Sequence, residues 1–226
     1  MFKDASHLAQ IIDHTLVRPD ATLADLAAAC EDAKKYGFAC VVVHGGHVAR
    51  ARELLSGTLV KVCSVVGFPH GASTTTVKIV EAMEAMKNGA SELDFVVNIG
   101  MVKSGRYDTV EIDVKNIIAM TPQKVHKVII ETGSLTADEI IRVCELAMRS
   151  GAEFVKTSTG FGPRGATVDD VRLMRQVVGS ACRVKASGGI RDLSAVTAMV
   201  EAGAERIGTS AGPAIMEEYL KKINDK

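Results

Sequence analysis

Three residues place reactive side chains within or at the ends of short apolar runs: Lys156, Lys185 and Asp94. Lys156 closes Glu-Phe-Val-Lys and is followed by Thr-Ser-Thr-Gly, residues 153–160. Lys185 closes Arg-Val-Lys and is followed by Ala-Ser-Gly-Gly, residues 183–189. If these runs are consecutive parallel strands, their backbones lie ~4.8 Å apart and the two amines sit close together. A neighbouring cation and loss of water both lower a lysine pKa from its usual value of about 10.4. A neutral amine attacks a carbonyl and forms a Schiff base, whose iminium accepts the electrons of a breaking carbon–carbon bond. The plainer alternative is that both lysines line a rim and extend their charged heads to water.

Asp94 lies in Ser-Glu-Leu-Asp-Phe-Val-Val-Asn, residues 91–98, and shares strand parity with Glu92. A carboxylate inside an apolar strand requires a partner. Lys61, Lys127, Glu131, Arg183 and Lys185 also fall on strand patterns and could complete interior ion pairs. The functional alternative is that Asp94 carries protons to and from a Schiff base. Asp13, in Ile-Asp-His-Thr-Leu, residues 12–16, is a supporting candidate of the same kind, with His14 facing the opposite way.

Positioning these groups requires strands that alternate with helices, and the pattern provides them. Strands are predicted near residues 11–16, 38–43, 59–66, 91–98, 125–131, 152–157, 182–186 and 205–209. A helix is predicted over residues 76–87, with Ile79, Met83 and Met86 on one face. Thr136 with Glu139 and Thr167 with Asp170 have capping-box spacing at helix starts. Gly37, Gly89, Gly151 and Gly203 each end a helix just before a strand. Eight apolar strands separated by helices imply a parallel sheet covered by helices, and their even repetition favours closure over an open doubly wound sheet. The expected fold is a single-domain (β/α)8 TIM barrel spanning residues 1–226, since no linker or low-complexity run divides the chain.

In such a barrel the active site lies at the C-terminal ends of the strands, and phosphate is held by the loops after strands seven and eight. Those loops are Ser-Gly-Gly-Ile-Arg, residues 187–191, and Gly-Thr-Ser-Ala-Gly, residues 208–212. Their glycines let backbone N–H groups approach an anion, the following helix N-termini favour it, and Ser210 can donate its hydroxyl. The glycine-rich stretch at residues 160–165 lacks dinucleotide-binding spacing and is expected to be a mobile active-site loop. His44 and His47 are expected at the surface without clustered acidic partners, so no metal site is expected, and His70 is a candidate for the pocket wall.

Composition narrows the function. Lys and Arg total 27 against 27 Asp and Glu, without the basic excess of a nucleic-acid partner. The cysteines, Cys30, Cys40, Cys63, Cys144 and Cys182, are odd in number, lack C-x-x-C spacing and read as buried small residues of a reducing cytoplasm. No apolar run reaches membrane-span length, and residues 1–12 lack the apolar core of a signal peptide.

The chain resembles the bacterial-type 2-deoxyribose-5-phosphate aldolases over nearly its whole length. The resemblance rests on Ile-Asp-His-Thr-Leu (12–16), Val-Gly-Phe-Pro-His-Gly (66–71), Glu-Leu-Asp-Phe-Val-Val-Asn (92–98), Val-Ile-Ile-Glu-Thr (128–132), Phe-Val-Lys-Thr-Ser-Thr-Gly-Phe (154–161) and Val-Lys-Ala-Ser-Gly-Gly-Ile-Arg (184–191). It implies reversible cleavage of 2-deoxy-D-ribose 5-phosphate to D-glyceraldehyde 3-phosphate and acetaldehyde, in deoxynucleoside breakdown, with no metal or cofactor. It further implies that Lys156 is the Schiff-base lysine, Lys185 the second lysine that perturbs it, and Asp94 the proton-shuttling acid. Thr159, Gly160, Gly188, Gly189, Gly208 and Ser210 match positions that contact substrate or its phosphate. A cytoplasmic homodimer or homotetramer is implied, with no nucleic-acid or membrane partner. Many family members carry an aldehyde-reactive cysteine on the second strand where this chain has Val42, two residues after Cys40, which implies greater resistance to aldehydes. The remaining enzyme alternative is a phosphate-binding isomerase or synthase on the same barrel. A non-catalytic barrel would be expected to have lost one of Asp94, Lys156 or Lys185.

Overall fold

The computed structural model describes residues 2–225. Eight parallel strands close into a barrel in chain order: β1 (Ile12–Leu16), β2 (Cys40–Val43), β3 (Lys61–Val66), β4 (Glu92–Val96), β5 (Val125–Ile129), β6 (Phe154–Lys156), β7 (Arg183–Ser187) and β8 (Arg206–Thr209). All eight expected strands are present, with boundaries shifted by a few residues. Two shifts matter. β5 stops at Ile129, so Glu131 lies beyond it, and Lys185 occupies the middle of β7 rather than its end.

The strands form because β-branched residues alternate with inward-facing polar or small ones. Val41 and Val43 on β2, Val128 on β5 and Val184 on β7 are buried in the layer between barrel and helices. A separate small cluster of Val17, Cys40, Val42, Cys63 and Val65 forms another part of the packing. His14 faces the helical layer as expected, buried against the ring of Phe38. All five cysteines are buried and free.

The helices stop where the sequence indicated. Gly37, Gly89, Gly151 and Gly203 all have positive φ, a conformation that costs glycine little. Thr136 and Glu139 form a complete capping box. Thr167 accepts the Asp170 N–H, but the Asp170 carboxylate turns away to Arg164 and Thr132, so the reciprocal half of that box is missing.

On the helix Thr75–Lys87 the expected Ile79 and Met86 are half-buried and pack against the core, but the fully buried face is offset from theirs. Lys78, Ala82 and Ala85 are buried, whereas Met83 is 45% exposed. Small alanines allow close approach, and Lys78 enters the interior to donate to Asp113 Oδ2 at 2.6 Å and to the Val96 carbonyl at 2.9 Å. Periodicity of apolar residues could not reveal a face defined by alanine and a paired lysine. Among the described residues, no helix is long and apolar enough to cross a membrane.

Removing one member of a buried ion pair strands the other. Lys78→Met is expected to lower unfolding free energy by about 3–5 kcal/mol, measured by urea denaturation. Lys78→Met/Asp113→Leu should recover most of the loss. A single-variant cost within experimental error of zero would contradict a structural role for the pair.

Candidate active site

The barrel register brings the chemistry-bearing residues to one side of the sheet. Asp94 pairs with Lys127, Lys156 with Lys185, Lys185 with Arg206, and Asp13 with Gly208. Paired residues on neighbouring strands point to the same face, so all these side chains enter the interior. Lys156 and Lys185 both donate from Nζ to the same oxygen, Asp94 Oδ2, each at 2.7 Å. The two amines are therefore no more than about 5.4 Å apart, twice that distance.

The lysines belong to a larger array. Lys127 Nζ lies 2.7 Å from Asp94 Oδ1 and 2.7 Å from Glu92 Oε2. Arg206 reaches Glu92 Oε2 at 3.0 Å and Asp13 Oδ1 at 2.7 Å. Lys185 joins Asp13 to Asp94. The contacts close a ring of alternating charge: Asp94, Lys185, Asp13, Arg206, Glu92, Lys127 and back to Asp94. This ring is neutral by itself. Lys156 is attached to it through Asp94 and is the surplus buried cation, whereas Lys61, 3.5 Å from Glu92 Oε1, is exposed to solvent.

Burial and partners set the protonation of each member. Burial alone would raise the carboxyls of Asp13, Glu92 and Asp94, but the facing lysines and arginine prevail and hold all three below the usual carboxylate range. Burial would likewise lower Lys127 and Lys185, yet the surrounding carboxylates push both above the ordinary lysine value. Lys156 alone among these lysines goes the other way. Its amine is lowered, chiefly by burial, with Asp94 opposing and Lys185 adding to the effect. The expected influence of the neighbouring cation is thus present but secondary to loss of water.

Lys156 lies at the base of a cavity of about 440 Å³. Thr159, Gly160, Gly188, Gly189, Gly208 and Ser210 line this cavity with it. Asp94, Lys185 and Asp13 lie outside its walls and are completely buried. Gly208 is needed by the lysine itself: a Cβ there would meet Lys185 Cε at 3.2 Å and Ser187 Cβ at 2.9 Å. The two phosphate-type loops differ at their helix starts. Asp192 caps the helix Leu193–Glu201 by accepting the Ala195 N–H, whereas the helix Gly212–Asn224 has no side-chain cap and leaves its N-terminus open to an anion.

Sequence reading missed two further cations of the cavity wall, Arg18 and Arg191. Arg18 follows β1 by two residues and is held by Asp20 and Asp25, while Arg191 was visible only as the last member of the glycine loop. Phe68 and Phe161 meet edge to face, with centroids 5.6 Å apart, and also line the cavity. His70 does not line it; exposed, it borders two smaller neighbouring cavities of about 350 and 210 Å³. His44 is half-buried rather than superficial, with Nε2 2.9 Å from the Val17 carbonyl. A different trio, Cys40, Cys63 and Glu92, brings possible ligand atoms within 4.8 Å of one another, but Glu92 is already matched by Lys127 and Arg206.

Glu131 is not an interior ion-pair partner. Beyond β5 it adopts a left-handed conformation, φ 55°, and its Oε2 accepts both the amide and the hydroxyl of Thr159. Arg164 ties the other end of the 160–165 stretch to Asp170 and to the Thr132 carbonyl. Gly165 packs so closely that a Cβ would lie 2.1 Å from the Gly188 carbonyl oxygen. The stretch expected to be mobile is therefore anchored at both ends.

A closed parallel eight-stranded barrel with a cavity formed by strand-end residues and the loops after them defines the TIM-barrel class. The family model described as DeoC/LacD family aldolase matches residues 7–218. Curated relatives include the deoxyribose-phosphate aldolase of Caldanaerobacter subterraneus, 52% identical over 219 residues, 96% of this chain and 95% of the relative. That of a Geobacillus species is 51% identical over 220 residues, 97% of this chain and 99% of the relative. Among solved structures, the tetrameric deoxyribose phosphate aldolase of Aeropyrum pernix superposes with a TM-score of 0.91 at 33% identity, covering 97% and 93% of the two chains. The chain belongs to the DeoC/LacD aldolase family and is an aldehyde-lyase.

Glu131→Ala should release Thr159. Its amide is expected to lose hydrogen-exchange protection, together with neighbouring amides to Gly165, while the strands keep theirs. Unchanged protection at Thr159 would show that Glu131 does not hold this segment.

Proposed function

We propose that this chain is a class I deoxyribose-phosphate aldolase in which Lys156 forms the Schiff base. The observation that carries this reading is the buried Lys156 amine, which lines the cavity and shares Asp94 Oδ2 with Lys185, each at 2.7 Å. The names of the relatives supply the substrate.

The open-chain aldehyde of 2-deoxyribose 5-phosphate enters with its phosphate toward Gly188, Gly189 and Ser210, near Arg18 and Arg191. The lone pair of Lys156 Nζ attacks the aldehyde carbon, and the oxygen gains a proton. Loss of water from this carbinolamine leaves the iminium. The substrate C3 hydroxyl then gives up its proton and the C2–C3 bond breaks. Its electrons flow into the iminium to give an enamine, and glyceraldehyde 3-phosphate departs. The enamine carbon takes a proton, and water hydrolyses the resulting imine to acetaldehyde and free Lys156.

Each proton movement needs a carrier close to Nζ. Asp94 Oδ2 accepts from both Lys156 and Lys185, so it bridges the site to a charged proton donor. Asp13 supports Lys185 from the opposite side. Thr159 and Gly160 flank the substrate from the β6 loop.

This function places the protein in deoxyribose phosphate breakdown in the cytoplasm, as a homodimer or homotetramer. The tetrameric Aeropyrum pernix relative supports the assembly. Second-strand positions Cys40 and Val42 are both buried, consistent with greater resistance to aldehyde inactivation than in members with a reactive cysteine at position 42.

Acetaldehyde followed by borohydride should attach a two-carbon adduct to Lys156, read by peptide mass spectrometry. Lys156→Ala should abolish labelling and lower turnover by ~10⁴-fold or more with the fold retained by circular dichroism. The attacking form is the deprotonated amine, so kcat/KM should rise with pH through a midpoint below the ordinary lysine value of about 10.4. An isomerase on the same barrel would show no adduct. Labelling confined to another lysine would contradict the assignment.

A further inference from the structure

We propose that Lys127, Glu92 and Arg206, which touch no part of the cavity, are positioning residues that leave Lys156 without a counter-ion of its own by closing a neutral ring around Asp94. The inference rests on Lys156 being the reactive amine and concerns what keeps it reactive.

Among the described residues, Asp94 is the one carboxylate in hydrogen-bond contact with Lys156. An isolated Asp94–Lys156 pair would hold the amine as an ammonium and remove its nucleophilicity. The ring prevents that pairing from being exclusive. Lys127 engages Asp94 Oδ1, and Lys185 shares Oδ2 with Lys156. Lys127 is itself kept charged by Glu92, and Lys185 by Asp13. Arg206 bridges Glu92 and Asp13, so the two arms cannot rearrange independently. Every ring member thus has at least two opposite charges beside it, while Lys156 has only a share of one.

The groups around the amine come from all sides of the barrel. Asp94 faces it from β4, Lys185 from β7, Cys63 from β3 and Lys127 from β5. Asp13 on β1, Glu92 on β4 and Arg206 on β8 complete the ring, and Cys40 on β2 lies beside Arg206. Cys40 is held well above its usual thiol value, chiefly by burial, and so adds no negative charge. Glu131, beyond β5, is engaged with Thr159. Three carboxylates therefore face four basic groups in a water-poor interior, and the charge most easily lost is the proton on Lys156.

The sign of each substitution follows. Lys127→Met removes a positive charge and leaves Asp94 freer to bind an ammonium at Lys156. The midpoint of the kcat/KM–pH profile should move up by about one pH unit or more. Glu92→Gln removes a negative charge and pushes Lys127 harder onto Asp94, so the midpoint should move down. Lys127→Met/Glu92→Gln restores the charge balance and should return the midpoint toward the native one. A purely structural role would lower turnover without shifts of opposite sign.

The experiment measures these profiles on all three full-length variants, with acetaldehyde and borohydride trapping on each. Opposite shifts with labelling retained at Lys156 support the ring. Labelling retained with unshifted midpoints, or with both single variants shifting in the same direction, overturns it. If Lys127→Met does not fold, the near-isosteric Glu92→Gln decides alone: a downward midpoint supports the proposal, and a fixed or raised one overturns it. Absence of labelling at Lys156 in the native enzyme would instead defeat the Schiff-base assignment.

Discussion

The interior of this barrel is organised by one electrostatic constraint: charges removed from water must be matched, and of seven such groups six are matched and one is left over. Asp13, Glu92 and Asp94 alternate with Lys127, Lys185 and Arg206 in a closed circuit, and Lys156 is attached at Asp94. Transferring an isolated ion to a dry interior costs so much that an unmatched group surrenders its charge instead. For an amine, surrendering charge means becoming a nucleophile. In the proposed mechanism the reactivity of Lys156 is thus tied to a charge imbalance in the core of this barrel.

The fold serves that constraint. Register places Lys156 beside Lys185 although one ends its strand and the other is central in its own. Glycine at position 208 leaves the space through which Lys185 extends. Phe154, one inward step below Lys156 on β6, lies beneath Arg183 and Arg206, whose guanidinium carbons are 4.0 and 5.9 Å from its ring centroid. Above the ring, the anchored 160–165 stretch and the glycine loops form the walls of the cavity. Under the proposed function, buried charge below would serve amine chemistry and the backbone-lined space above would serve anion recognition.

Much of this was legible in the sequence because it depends on period and position. Apolar runs separated by helical patterns revealed the eight strands, and glycine–serine loops after the last two marked the cavity wall. Lys156, Lys185 and Asp94 were visible as reactive types within those strands. What escaped was set by three-dimensional closure. Lys127 was expected as an interior ion-pair partner and is one, but Arg206 was not anticipated, and no local spacing encodes the circuit that joins them across β1, β4, β5, β7 and β8. Glu131 looked like a strand residue because the apolar run continues through Ile130, yet its left-handed backbone turns it toward Thr159. The buried face of Thr75–Lys87 was hidden because alanine and a paired lysine do the packing usually assigned to larger apolar residues.

All of this rests on Lys156 giving up its proton more readily than Lys127 and Lys185, whose carboxylate partners hold them charged. Protein carrying 13C-labelled lysine, with signals assigned by single Lys→Arg replacements, can be titrated by NMR. The Lys156 side chain is expected to titrate below the ordinary lysine value of about 10.4, with Lys127 and Lys185 still protonated at that pH. A Lys156 signal that stays protonated up to or beyond the ordinary value would contradict it.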